Sequence, residues 1–160
     1  MDHALAGGLV QLAAGGAQRG LGLRHIPSVR RLAEPVSYTH LTLPAVPQAV
    51  RLARQATRDA LAVWQLGQLA ETAVLLVSEL VTNAIRHAVD TGAIGLELTS
   101  ADTWLRLEVQ DGDPHWRQME CLDDCDESGY GFVLVDSLAD RWGVRRICAG
   151  KAVWAELDAS

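Results

Sequence analysis

The segment LLVSELVTNAIRHAV, Leu75–Val89, is apolar enough for a core, yet Glu79, Asn83 and His87 interrupt it at four-residue intervals. On an α-helix, positions i, i+4 and i+8 stand nearly above one another, so a carboxylate, an amide and an imidazole share one edge of an apolar rod. Polar groups inside a core helix are ordinarily satisfied by local hydrogen bonds. Three of them in one row raise the alternative that the edge serves a ligand.

The flanking patterns give this helix its setting. PQAVRLARQATRDALAVW carries apolar residues at helical spacing, with Pro47 at the start, where a missing N–H costs little. Gly67 separates it from the long helix, expected from Leu69 to about Val89 and closed by DTG. HLTLPA before the helices reads as a short strand ending at prolines. AIGLELTS and TWLRLEVQD alternate as strands around the short connection Ser100–Asp102, a hairpin. The stretch Gly112–Ser128 is acidic and irregular. GYGFVLVDSLAD opens with glycines and becomes a helix, and RWGVRRIC and KAVWAELD close the chain as two strands around a turn at Gly150. The order β-α-α-β-β-loop-α-β-β predicts an α/β two-layer sandwich, a mixed, mainly antiparallel sheet with helices on one face.

A chain of 160 residues fits one domain. Residues 1–40 read as a flexible Gly/Ala-rich tail. Overlapping its end, VSYTHLTLP, Val36–Pro44, resembles the translation of a transposon-end adapter, so no function is placed before residue 41, and residues 41–160 form the domain. A net charge of −6 disfavours a nucleic-acid binder, which ordinarily shows a basic face. No apolar run approaches the roughly 20 residues of a membrane span, and ALAGGLVQLAAGGA lacks the basic flank of a secretory signal. Cys121, Cys125 and Cys148 fit reduced thiols, and the first two lack a second pair at zinc spacing. The expected location is cytoplasmic. Arg51, Arg54 and Arg58 make a stripe on the first helix, either a solvated face or a docking edge for an acidic partner. Of the five tryptophans only Trp116 falls outside a strand or helix pattern. Neither a nucleophile elbow nor a GxxxxGK[ST] phosphate loop is present.

Three segments carry chemistry together. The long helix offers Glu79 and Asn83, EVQDGD ends a strand on Asp111, and SGYGF opens a helix with Gly129 and Gly131. An amide oxygen suits Mg²⁺, which takes oxygen donors and keeps phosphate ligands. A strand-end carboxylate can accept a hydrogen bond from an exocyclic amine, and backbone N–H groups at a helix start favour phosphate.

The constellation resembles the GHKL ATPase superfamily of gyrase, Hsp90, histidine kinases and MutL, and in particular the bacterial anti-sigma factors that act as serine-protein kinases and their actinobacterial relatives. SELVTNAIRHA resembles the N box, LEVQDGDP the G1 box, SGYGFVLVDSLADRWGV the G2 region and GKAVWAEL the last strand. The resemblance implies a Bergerat-type ATP-binding fold with ATP and Mg²⁺ as cofactors. It makes Glu79 the residue that polarises the attacking hydroxyl and Asn83 the Mg²⁺ ligand. Asp111 reads the adenine amino group, Gly129 and Gly131 meet phosphate, and His87 lines the site or packs beside it. Residues 112–128 become the lid. The implied partners are a sigma factor or an anti-sigma factor antagonist, with homodimerisation common in such proteins. Three departures stand out: Asp113 and His115 replace G1 glycines, Glu127 and Tyr130 stand where relatives carry an Arg, and Ala152 stands where relatives carry a phosphate-contacting Thr. Two functions follow as expectations, a serine/threonine-protein kinase that switches partners, or a nucleotide-gated binding module without phosphotransfer. A detached histidine-kinase domain is disfavoured, since the glycine-broken first 40 residues offer no dimerising hairpin.

Overall fold

The computed structural model describes residues 37–88, 92–101, 103–112, 129–148 and 150–159. Strand β1 (Ser37–Pro44) leads into helix α1 (Gln48–Val63), a 3-10 turn (Gly67–Leu69) and helix α2 (Ala70–His87). Strands β2 (Ala93–Ala101) and β3 (Trp104–Asp111) precede helix α3 (Gly129–Leu138), and β4 (Arg141–Ile147) and β5 (Gly150–Asp158) finish the chain. The sheet runs β1-β2-β3-β5-β4, so β5 inserts between β3 and β4. Every pairing is antiparallel among the described residues, and the sheet expected to be mixed contains no parallel pair there.

Local boundaries differ from the sequence pattern in small ways. Strand β1 starts at Ser37, because its register with β2 continues to Ser37↔Ser100. Helix α2 ends at His87, and α3 stops at Leu138. The last hairpin turns around Cys148, with Gly150 already paired to Ile147.

Helix α1 buries Ala49, Ala53, Thr57, Ala60 and Leu61, mostly small side chains that let it lie close against α2. The Thr57 hydroxyl donates to the Ala53 carbonyl at 2.8 Å, which satisfies a fully buried polar atom. Gln65 takes a left-handed φ of 59°, uncommon for a residue with a side chain, and there the chain turns out of α1. Helix α2 buries Ala73, Val74, Leu76, Val77, Leu80, Val81 and Ala84 and packs on α1, α3 and β3. The core joins these to Leu96, Leu98, Leu105, Leu107, Val109, Val153, Ala155 and Leu157 of the sheet. Removing each such leucine from water contributes about 1.5–3 kcal/mol.

The opposite face of the sheet is polar yet closed. Arg106 lies over the Trp154 ring at 4.3 Å and donates to Glu156 Oε1 at 3.0 Å and to Glu108 Oε2 at 3.1 Å. Arg145 reaches across from β4 to both Glu108 oxygens. Burial alone would raise the Glu108 pKa. The hydrogen bond and charge of Arg145, with those of Arg106, outweigh burial and hold the carboxyl below its ordinary value. The same bond to Glu108 raises Arg145, against the effect of its burial. Trp154 also needs Gly143 beneath it, since a Cβ at residue 143 would come within 2.8 Å of the indole.

Two stability predictions follow from this face. Gly143→Ala, overpacking the ring that Arg106 pins, should destabilise the fold by about 1–3 kcal/mol, read as a lowered urea midpoint. The folded chain holds Glu108 at a lower pKa than the unfolded chain does. Its contribution is therefore complete above the ordinary value of about 4.5 and lost as pH falls through the depressed one. Glu108→Gln should flatten the acid limb of the stability-against-pH curve, and an unchanged limb would contradict this account.

Candidate functional site

The polar row of α2 takes the position its spacing requires. Glu79 and His87 are half-buried, and Asn83 between them is only 9% exposed. Glu71 lies in the first turn and Arg86 and His87 in the last, so the charges suit the helix dipole at both ends. One residue before Glu79, the Ser78 hydroxyl donates to the Val74 carbonyl and accepts from Arg54 Nε, both at 2.6 Å. This bond ties α1 to α2 at the level of Glu79. Arg54 of the arginine stripe thus bonds to α2, although it is exposed like Arg51 and Arg58.

Asp111 ends β3. Strand residues alternate faces, and Leu105, Leu107 and Val109 are core residues beneath α2, so Asp111 belongs to the helix-covered face. It is 3% exposed, and opposite it in register stands Lys151, 2% exposed, with Nζ 3.7 Å from Asp111 Oδ2. Each charge offsets part of the other's desolvation.

Helix α3 begins at Gly129 and contains Gly131 in its first turn. Its direction is set by contacts along its length with the strand that follows. Phe132 stacks on Trp142 of β4 with ring centres 5.2 Å apart, and the Trp142 indole N–H donates to Asp136 Oδ1 at 2.9 Å. Val135, 1% exposed, plugs the core, and the helix packs against α2. The α3 N-terminus, the α2 polar edge and the end of β3 therefore belong to the same helix-covered layer of the molecule.

The sequence-expected residues fall as follows. Glu79, Asn83 and His87 share one helix edge, Asp111 lies on the helix-covered face, and Gly129 and Gly131 open α3. Asp113, His115, Trp116, Cys121, Cys125, Glu127 and the lid beyond Gly112 lie outside the described residues. Ala152 pairs with Gln110 and Arg145, on the face turned away from the helices. At the opening of the last strand the residue on the helix-covered face is Lys151, which sequence reasoning passed over. Its signal was the GK pair opening the strand, and seeing its meaning required the β3–β5 register.

An amide oxygen at position 83 is a hard, neutral donor suited to Mg²⁺. Among the described residues no group of three or more His, Cys, Asp or Glu is placed to hold a metal by itself. Mg²⁺ held by an amide oxygen ordinarily keeps phosphate oxygens and water as its other ligands.

The model of the histidine kinase-like ATPase domain matches residues 43–157. None of the curated proteins matches this chain. Among solved structures, the RsbU and RsbW domains of Rv1364c from Mycobacterium tuberculosis share the fold, at a TM-score of 0.59 and 21% identity. That likeness covers 79% of this chain and 36% of the other, so this chain spans about a third of its neighbour's length. No helix among the described residues is long and apolar enough to cross a membrane.

The Asp111–Lys151 pair yields a prediction independent of any ligand. Asp111→Ala removes the carboxylate that the buried Lys151 ammonium faces at 3.7 Å and should cost about 3–5 kcal/mol in denaturant unfolding. Asp111→Ala combined with Lys151→Met should recover part of that loss.

Proposed function

The chain belongs to the histidine kinase-like ATPase domain family, and from that membership and its site we infer a Mg²⁺·ATP-binding regulator of the anti-sigma serine-kinase type. The observation that carries the reading is the Glu79–Asn83 row on α2, on the same side of the sheet as the Asp111 carboxylate. Asp111 accepts a hydrogen bond from the adenine amino group, and His87 borders the nucleotide one turn beyond Asn83. Backbone N–H groups at Gly129 and Gly131 meet phosphate oxygens, where the start of α3 favours negative charge. The Asn83 amide oxygen holds Mg²⁺, which when bound offsets charge on the triphosphate.

Glu79 stands one turn before Asn83 and accepts the hydrogen bond of the attacking hydroxyl, a serine of a partner protein. That serine belongs to an anti-sigma factor antagonist, a sigma factor is the other binding partner, and nucleotide state selects between them in a cytoplasmic setting. A second reading, a nucleotide-gated binding module without phosphotransfer, draws on Glu127 and Tyr130, which stand where relatives carry an Arg. Position 152 faces away from the helices, so its alanine counts neither for nor against phosphotransfer.

Calorimetry with Mg²⁺·ATP and transfer of labelled phosphate to the antagonist separate the two. The kinase reading expects label on a partner serine, lost in Glu79→Ala with ATP binding retained. The module reading expects binding without transfer. Asp111→Asn should abolish ATP binding in both, and absence of binding heat for ATP and ADP in the unmodified protein would overturn both.

A further inference from the structure

Lys151 is a buried ammonium that the proposed chemistry does not use. It is 2% exposed, inserted in β5 between Gly150 and Ala152, and it faces Asp111 across the β3–β5 ladder at 3.7 Å. A lysine so placed costs several kcal/mol in desolvation unless an anion compensates it. A neutral hydroxyl would satisfy an aspartate at far lower cost, so the charge itself calls for an account.

We propose that Lys151 is the positioning residue for base recognition. It holds the Asp111 carboxylate on the helix-covered face as a fixed acceptor, so that the site takes a purine presenting an amino donor and refuses one presenting a carbonyl. This rests on the ATP-binding reading above and adds the residue that sets its base selectivity.

The chemistry is one of donors and acceptors. An ionised carboxylate only accepts hydrogen bonds, and it matches the exocyclic amine of adenine and opposes the carbonyl of hypoxanthine. A buried carboxyl group that loses a neighbouring cation takes up a proton more readily or turns toward water. Protonated, it donates to a carbonyl as readily as it accepts from an amine. Turned away, it reads neither base. In both cases the distinction between the two purines fades. A site whose buried polar group is left facing the wrong partner discriminates strongly, which gives the effect its size.

The test uses the full chain with Mg²⁺·ATP and Mg²⁺·ITP, measured by calorimetry in the unmodified protein, Lys151→Met and Lys151→Arg, with thermal melts alongside. The unmodified protein should prefer ATP by about tenfold or more. Lys151→Met should lose most of that ratio while still melting cooperatively, and Lys151→Arg should restore it. A Lys151→Met protein that keeps both ATP affinity and the ratio within about twofold overturns the proposal. Should Lys151→Met not fold, Lys151→Gln against Lys151→Arg decides, with the ratio lost in the first and kept in the second as the supporting result and equal ratios as the refuting one. If the unmodified protein binds neither ATP nor ADP, the parent reading fails. If it binds ATP but not in preference to ITP, only this inference fails.

Discussion

A residue on a β-strand can look at one face of its sheet and no other, and in this molecule that constraint is set by the register between β3 and β5. Pairing Leu105 with Leu157, Leu107 with Ala155 and Val109 with Val153 sends an apolar column under α2, and the column continues one step further into Asp111 and Lys151. The alternate positions, Arg106 with Glu156 and Glu108 with Trp154, are sent to the other side. A slip of one residue would exchange the two sets, placing arginines and glutamates against the helices. The apolar core and the buried ion pair at its end are thus one structural decision.

The outer face shows how a sheet covered by helices on one side protects its other side. Arg106 and Arg145 lay their long stems over the strands and deliver guanidinium groups to Glu108 and Glu156, while the Arg106 plane covers the Trp154 ring. Guanidinium groups suit this task because they are planar, always charged and able to bond two carboxylates at once. The charged residues bury one another and keep the central strands from presenting a bare apolar surface. On the inner face the reasoning differs, for Asp111 and Lys151 lie at the end of the apolar column that the β3–β5 register builds.

The α2 helix was legible because its information is local. Apolar spacing fixes which sides are buried, and the four-residue interval of Glu79, Asn83 and His87 fixes that they share an edge, whatever the helix packs against. The β2–β3 hairpin was legible for the same reason, since two alternating runs joined by a very short connection can hardly pair otherwise. Two items resisted. The sheet expected to be mixed is antiparallel throughout its described strands, because β5 turns back against β3 and so inserts between β3 and β4. Position 152 was assigned to the nucleotide side by resemblance alone, whereas alternation from Val153 puts it on the arginine-covered face.

The sequence by itself settled which segments become helices and strands, which side of α2 is apolar, and which polar types stand in a row upon it, since each follows from periodicity within a dozen residues. Only the tertiary structure decided that Lys151 meets Asp111, that Arg145 reaches Glu108, and that Trp142 anchors α3 through Phe132 and Asp136. These pairs join residues that the chain separates but the sheet or the packing of α3 on β4 brings side by side, and no local pattern encodes such a register.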